Sequence, residues 1–233
     1  MTPAPAPSAP APRAAPPAAG TRMPRAARRQ QLIDVAQDSF ARKGYQGTTI
    51  EDIAAAAGVT RPIVYNCFGS KDGIYLACLS AARQQLEQRI LEAVAGAGDT
   101  HGRVEAGIDA YFRFVAEQAD AWDVLFGGGA AIAGTAERTA RELRFRTVDQ
   151  IAGLLQRELP DTLPAELDVL AHAVSGAAEQ VAKWWRCNPA TPRPVVVQRV
   201  MRLLWAGLED LTLRHQPAPS GNHPLPSPGR HRA

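Results

Sequence analysis

The chain is poor in the residues that build metal centres, disulfide frameworks and membrane spans. Three of its 233 residues are cysteine, Cys67, Cys78 and Cys187. Their spacing fits no metal-ligand pattern and no even disulfide set, so reduced thiols in a cytoplasmic protein are expected. No apolar run approaches the roughly 20 residues of a membrane span. The N-terminus carries no apolar stretch of the kind a secretory signal needs. Strand alternation is missing apart from the three valines at 195–197, which neighbouring prolines make better read as a helix start. Catalytic signatures are missing too. There is no G-x-S-x-G, no H-E-x-x-H and no glycine loop behind a strand, and Gly127–Gly129 lacks a P-loop lysine. These absences leave no residue set that nominates an enzyme, and no cofactor or metal is expected.

What is present is ordinary for a globular protein, with 45% apolar and 21% charged residues. The charge is unevenly placed. Residues 13–77 hold nine Lys/Arg against five Asp/Glu, whereas residues 78–213 hold fourteen against eighteen. A mildly basic N-terminal part and an acidic remainder suit a chain that meets a polyanion with one end.

Residues 1–24 are rich in Pro and Ala, and residues 214–233 repeat that bias. Neither segment has the apolar content to offset the entropy of ordering, so both are expected to be disordered. Between them every periodic segment is helical, and the fold class is all-α. A first helix is predicted over Arg25–Lys43, with Leu32, Val35, Ala36, Ser39 and Phe40 on one face and Gly44 as its stop. A long helix capped by Ser70 runs to about Ala95 and links two domains, residues 25–75 and 76–213. From about 101 onward the periodic segments are helical, and Val104, Ile108, Tyr111, Phe112 and Val115 line one face. Trp122, Val124, Leu125 and Phe126 form a short apolar segment before a loop at 127–134, and further helices are predicted near 136–158, 164–186 and 194–213.

The segment TTIEDIAAAAGVTRPIVYNCFGSK, Thr48–Lys71, carries most information. Thr49-x-x-Asp52 has the form of a capping box ahead of Ile50, Ile53 and Ala54. Gly58 can stop that helix in the left-handed conformation, and Thr60 can cap a second one ending at Gly69. Helix, tight glycine turn, helix is the helix-turn-helix arrangement, whose second helix enters the DNA major groove. Val59, Val64 and Phe68 would bury. Arg61, Pro62, Ile63, Tyr65 and Asn66 are left outward, an exposed set that a groove explains. A small helical hairpin packed inside an α-domain gives the same pattern without DNA.

Residues 28–75 resemble the DNA-binding domain of TetR-family transcriptional regulators. Phe40, Gly44-Tyr45, Thr48-Thr49, Ile53-Ala54, Gly58-Val59, Tyr65, Phe68 and Lys71 carry the resemblance at these spacings. It implies an N-terminal three-helix DNA-binding domain with a helix-turn-helix. A long helix joins it to a larger C-terminal helical domain that binds a small molecule and dimerises. The implied DNA contacts are Thr48, Thr49, Thr60, Arg61, Pro62, Ile63, Tyr65, Asn66 and Lys71. Arg61 can donate two hydrogen bonds to a guanine or merely reach a phosphate. Thr49 is either a phosphate contact or only a cap. Asn66-Cys67 departs from the family's common pattern, and Pro62 disfavours helical geometry at Arg61, which would delay the helix by one residue. Arg22, Arg25, Arg28 and Arg29 form either an arm toward DNA or a solvated helix start.

For the implied effector site the aromatic content of the C-terminal half nominates Tyr111, Phe112, Trp122, Phe126, Phe145 and Trp184, with Glu179 as a polar partner; each serves an ordinary core equally well. Arg144 and His172 are further polar residues near apolar faces. Ala171, Val174, Ala177, Ala178, Leu204 and Leu208 suit close packing of the last two helices against a second copy. The implied function is a repressor that binds a palindromic operator as a homodimer and is released by a small-molecule effector, with no membrane involved. The alternatives are an activator or a regulator without a natural effector, and, more remotely, a helical enzyme or scaffold.

Overall fold

The computed structural model describes residues 23–127 and 135–214. The expected disordered arms, Arg22 and most of the glycine-rich segment 127–134 lie outside the described residues. Those described form α1 (Arg25–Gly47), α2 (Ile50–Ala56), α3 (Arg61–Phe68), α4 (Lys71–Ala95), α5 (Thr100–Glu117), α6 (Ala119–Phe126), α7 (Thr135–Glu158), α8 (Pro164–Cys187) and α9 (Arg193–Arg214). The all-α expectation holds among them. The ends predicted for α1, α4, α7, α8 and α9 lie within a few residues of the observed ones, whereas the short apolar segment around Trp122 forms a helix of its own, α6.

Local chemistry sets the ends. Gly44 has φ 69°, so regular α1 turns there, and its last residues form a separate turn. Thr49 and Asp52 close a reciprocal capping box on α2. Ser70 Oγ accepts from Gly73 N at 3.0 Å at the start of α4. Asp99 does the same for Gly102 N at 2.7 Å at the start of α5. Two expectations fail at α3. Thr60 occupies the N-cap position, but its side chain makes no capping hydrogen bond. Pro62 does not delay the helix, which includes Arg61. In the first turn the missing proline N–H is one the helix would leave unpaired anyway.

Helices α1, α2 and α3 pack around Leu32, Ala36, Ile53 and Val64, none of which keeps any exposed surface. Helix α4, 25 residues long, spans about 37 Å at 1.5 Å per residue. Its Ile74 and Cys78 close the core of the first three helices, and its Leu86 and Ile90 enter the core of the rest. One apolar cluster therefore runs from Leu32 to Met201 through both parts of the chain. A smaller cluster, including Val148, Leu155, Leu167 and Leu208, lies where α7, α8 and α9 meet.

Candidate nucleic-acid interface

Thr49, Arg61, Pro62, Ile63, Tyr65 and Asn66 are all exposed on α2 and α3. Ile63 is 36% and Tyr65 43% exposed, a large apolar outlay beside a basic residue. Val64 alone on α3 is fully buried, and it anchors the helix to the core. Cys67 and Phe68 are half-buried at its end. The Arg29 guanidinium lies 4.4 Å over the Phe68 ring and reaches the carbonyl of Cys67 at 3.4 Å. Arg28 hydrogen-bonds Gln31. These two arginines therefore serve the packing of α1, and Arg29 also braces α3.

Thr48 requires a correction. Its side chain is fully buried, and its hydroxyl sits between the carbonyls of Gly44, at 2.8 Å, and Ser39, at 3.0 Å. It locks the turn after α1 and has no surface to offer DNA. Thr49 is exposed and engaged as a cap: its hydroxyl meets Asp52 Oδ2 at 2.8 Å and accepts from Asp52 N at 3.1 Å. The hydroxyl's bond to the carboxylate, then the Thr49 backbone N–H donating to Asp52 Oδ2 at 3.0 Å, and then Lys43 at 3.1 Å hold the Asp52 carboxyl below the usual carboxylate range.

Arg61 is not free. Its Nη1 lies 2.7 Å from Oε1 of Glu51 on α2, and its guanidinium is 6.0 Å from the Tyr65 ring centroid. Glu51 was no candidate from sequence; its position in the first turn of the helix before the recognition helix was the available signal. Lys71, at the start of α4, places its ammonium 4.3 Å over the Tyr45 ring. The Tyr45 hydroxyl donates to Asp72. Burial first, and then the neighbouring Asp72 carboxylate, push the Tyr45 hydroxyl up to about 12. Phe40, Tyr45 and Tyr75 form a triangle of rings with centroids 5.0–6.0 Å apart, tying α1 to α4 directly behind Lys71.

The other part of the chain holds a cavity of about 460 Å³ among α4, α5, α6, α7, α8 and α9. Ile90 and Val94 of α4, Val104 and Ile108 of α5, and Ile151 and Leu154 of α7 supply apolar wall. Of the nominated aromatics, Tyr111 and Phe126 line it. Phe112 and Trp122 do not; both are core side chains, and Trp122 Nε1 donates to the Tyr111 hydroxyl at 3.0 Å. Burial pushes the Tyr111 hydroxyl up, so it stays neutral. Phe145 and Trp184 are about half exposed and do not line the cavity. Glu179 pairs with Lys183 at 2.6 Å. Aliphatic residues make most of the walls, and no sequence signal separates them from ordinary core.

The charged residues that line the cavity, Arg103, Arg157 and Glu158, gather at one end. Arg103 Nη1 meets Glu158 Oε1 at 2.8 Å, Thr100 donates to Glu158 Oε2 at 2.6 Å, and Arg157 also lines that end. The opposite end, at Tyr111 and Phe126, adjoins α6. There Arg144 binds the Leu125 carbonyl at 3.0 Å and the Tyr75 hydroxyl at 3.2 Å. Arg144 thus ties elements together and does not line the cavity. His172, the other polar candidate, is exposed beside the Asp168 carbonyl.

The residues nominated for a dimer face are mostly turned inward. Ala171, Ala178 and Leu208 are buried within the single chain. Val174 and Ala178 line the cavity, and Leu204 packs on the main cluster. Among the described side chains of these helices, Val169 (68%) and Trp184 (52%) on α8 and Leu203 (68%) and Val195 (41%) on α9 are apolar and exposed. Among the described residues no group of three or more His, Cys, Asp or Glu could hold a metal, and no helix is long and apolar enough to cross a membrane.

Residues 32–78 match the family described as bacterial regulatory proteins, tetR family. Residues 100–207 match the tetracyclin repressor-like C-terminal domain. The transcriptional activator FasR of Mycolicibacterium smegmatis is 24% identical over 197 residues, covering 83% of this chain and 89% of that protein. The crystal structure of a tetR-family transcriptional regulator from Streptomyces coelicolor is 30% identical, with a TM-score of 0.66 over 80% of this chain and 82% of that one. The crystal structure of the regulator FadR from Bacillus subtilis, in complex with stearoyl-CoA, has a TM-score of 0.68 at 18% identity, covering 76% of this chain and 98% of that one. All three relatives are transcriptional regulators and not enzymes.

Proposed function

The chain belongs to the TetR family of bacterial transcriptional regulators, and from that premise we propose that it is a homodimeric, effector-released repressor of a palindromic operator. The observation that carries DNA binding is the exposed row Arg61, Pro62, Ile63, Tyr65 and Asn66 on a helix anchored through Val64. In this reading Arg61 meets a guanine, Ile63 and Pro62 a thymine methyl, and Tyr65, Thr49 and Lys71 the phosphates. An eight-residue recognition helix reads only a few base pairs, so useful affinity calls for two copies on a two-fold axis. Val169, Trp184 and Leu203 supply an apolar face for the second copy. Such a regulator works in the cytoplasm, where its operator is.

The effector in this reading is an amphipathic molecule with an elongated apolar body and an anionic head. The apolar walls favour the body. Arg103 and Arg157 at one end favour the head, which would compete with Glu158 for Arg103. From Arg103 to Tyr111 the α5 wall runs about 12 Å at 1.5 Å per residue. A long-chain acyl-CoA, the ligand in the FadR structure, has this chemistry. Release of DNA then requires that the ligand favour a second dimer state, by about 10⁴-fold for a near-complete switch.

Activation is a second reading, because the match to the activator FasR extends over 83% of this chain, beyond the DNA-binding helices. The test is fluorescence anisotropy of the purified protein on DNA from upstream of its own gene, titrated with palmitoyl-CoA. Saturable binding and its reversal by the ligand support the repressor. Binding that the ligand strengthens supports the activator, and no retention at low salt sinks the DNA-binding reading.

A further inference from the structure

Glu51 is an acidic residue on the surface that the proposed function turns toward a polyanion, and its described partner is the base-reading candidate Arg61. The neighbouring Asp52 carboxylate is otherwise occupied, by the Thr49 hydroxyl and backbone N–H and by Lys43. The Glu51–Arg61 pair joins the first turn of α2 to the first residue of α3. Its side chains are 52% and 56% exposed, so the pair does little for the fold. Toward phosphate a carboxylate is repulsive and weakens general attraction to DNA. The major groove, however, also presents amino donors: cytosine N4 and adenine N6.

We propose that Glu51 is a specificity-determining residue, which holds Arg61 as an oriented fork toward guanine and accepts a hydrogen bond from the N4 amino group of the cytosine beside it. The inference rests on the DNA-binding reading. The observed contact uses one guanidinium nitrogen and one carboxylate oxygen. A guanidinium carries five N–H donors and a carboxylate two acceptor oxygens, so both groups keep capacity for base edges while paired. The carboxylate accepts from cytosine N4 and repels the guanine O6 and thymine O4 acceptors. Glu51 thereby makes one position of each half-site selective, while lowering affinity for DNA in general.

The experiment is enrichment of a randomised duplex library by the full-length wild type, Glu51→Ala and Glu51→Gln, followed by titration of the enriched duplexes. The wild type is expected to enrich a half-site containing adjacent guanine and cytosine. Glu51→Ala is expected to lose about tenfold discrimination at the cytosine position alone, with equal or tighter binding to mixed-sequence DNA. Glu51→Gln is expected to shift that position toward adenine, whose N6 and N7 a carboxamide can pair. Thermal unfolding of both variants should match the wild type. An unchanged consensus in Glu51→Ala, or an equal loss at every position, overturns the proposal while leaving the DNA-binding reading intact. If the wild type enriches no sequence, the DNA-binding reading falls with it, and the two failures are distinguishable.

Discussion

The guanidinium of Arg144 on α7 donates to the hydroxyl of Tyr75 on α4 across 3.2 Å, and its Nε holds the carbonyl of Leu125 at the end of α6. Three helices meet at this one side chain. Phe126, the next residue on α6, lines the cavity, and so does Thr147, one turn further along α7. Tyr75, on the other side, stacks edge-on against Phe40 and Tyr45 of the DNA-binding helices. A ligand that moves α6 or α7 therefore strains a contact with the aromatic core behind the recognition helix. The Tyr75 hydroxyl is raised above its ordinary pKa by burial, against the lowering effect of Arg144, so it stays protonated.

Arg144→Met keeps the packing length and removes both hydrogen bonds. It should cost about 1.5–3 kcal/mol of stability, the usual range for hydrogen bonds to a charged group. It should also weaken the effect of ligand on DNA affinity, because α7 is then tied to α4 only by packing and by the Gln150 bond to the Glu87 carbonyl, both further from the DNA-binding helices. Tyr75→Phe should cost less, about 1 kcal/mol. Denaturant unfolding gives the stability, and anisotropy with and without ligand gives the coupling. Unchanged coupling in both variants would mean that this contact is only structural.

The first helices were legible because their signals are local. The Thr49–Asp52 box closes as its spacing predicts, and Gly58, at φ 64°, turns the chain between α2 and α3. The inward burial of Thr48 was not legible, since it depends on the carbonyls of Ser39 and Gly44 exposed by the turn of α1. The cavity was not legible either. Its walls are mostly Ile, Val and Leu at spacings that a filled core shows equally. Of the aromatics that suggested a pocket only Tyr111 and Phe126 line it, Phe112 and Trp122 being core and Phe145 and Trp184 exposed. In α8 the small residues Ala171, Ala178 and Ala182 line one side and Val169 and Trp184 another, with too little contrast to say which side is inward.

Thr49→Ala should destabilise the protein by about 1 kcal/mol through loss of the α2 cap, and Thr49→Ser should restore most of it. Loss of operator affinity should exceed the loss of stability only if the exposed hydroxyl also meets a phosphate. Thermal melting and operator titration at one salt concentration separate these two contributions.

Stability should fall at high pH through Tyr45. Its hydroxyl rises from an ordinary 10.0 to about 12 in the folded state, mainly by burial and then by the Asp72 carboxylate. A raised acid pKa means that folding favours the protonated form. The stabilisation is complete below about pH 10 and is lost as pH rises from 10 towards 12. Tyr45→Phe should flatten the melting-temperature profile across that window. An unchanged slope would show that other groups govern the alkaline loss.

Filling the cavity should separate ligand response from DNA binding. Gly107 lines it, and a Cβ added there would meet Val94 Cγ2 at 3.5 Å, an ordinary contact. Gly107→Leu projects a larger side chain into the space and removes a helical glycine, a gain of up to about 1 kcal/mol. The variant should melt higher, bind DNA as the wild type does, and no longer respond to palmitoyl-CoA. A normal ligand response in this variant would place the effector elsewhere.

The dimer should be held by the exposed apolar side chains of α8 and α9 and not by the small residues turned inward. Val169, Trp184 and Leu203 are each more than half exposed on one chain. A charge buried between two copies is desolvated and meets its own image across the two-fold axis. Leu203→Glu and Trp184→Glu should therefore shift the protein toward monomer with its melting behaviour nearly intact, and abolish tight operator binding. Ala178→Glu behaves differently. Ala178 is 8% exposed and lines the cavity, so this change should disturb the fold or the ligand site before it disturbs association. Analytical ultracentrifugation alongside thermal melting distinguishes the two patterns. If Leu203→Glu and Trp184→Glu both remain dimeric, α8 and α9 are not the partner face, and the copies must meet through another surface.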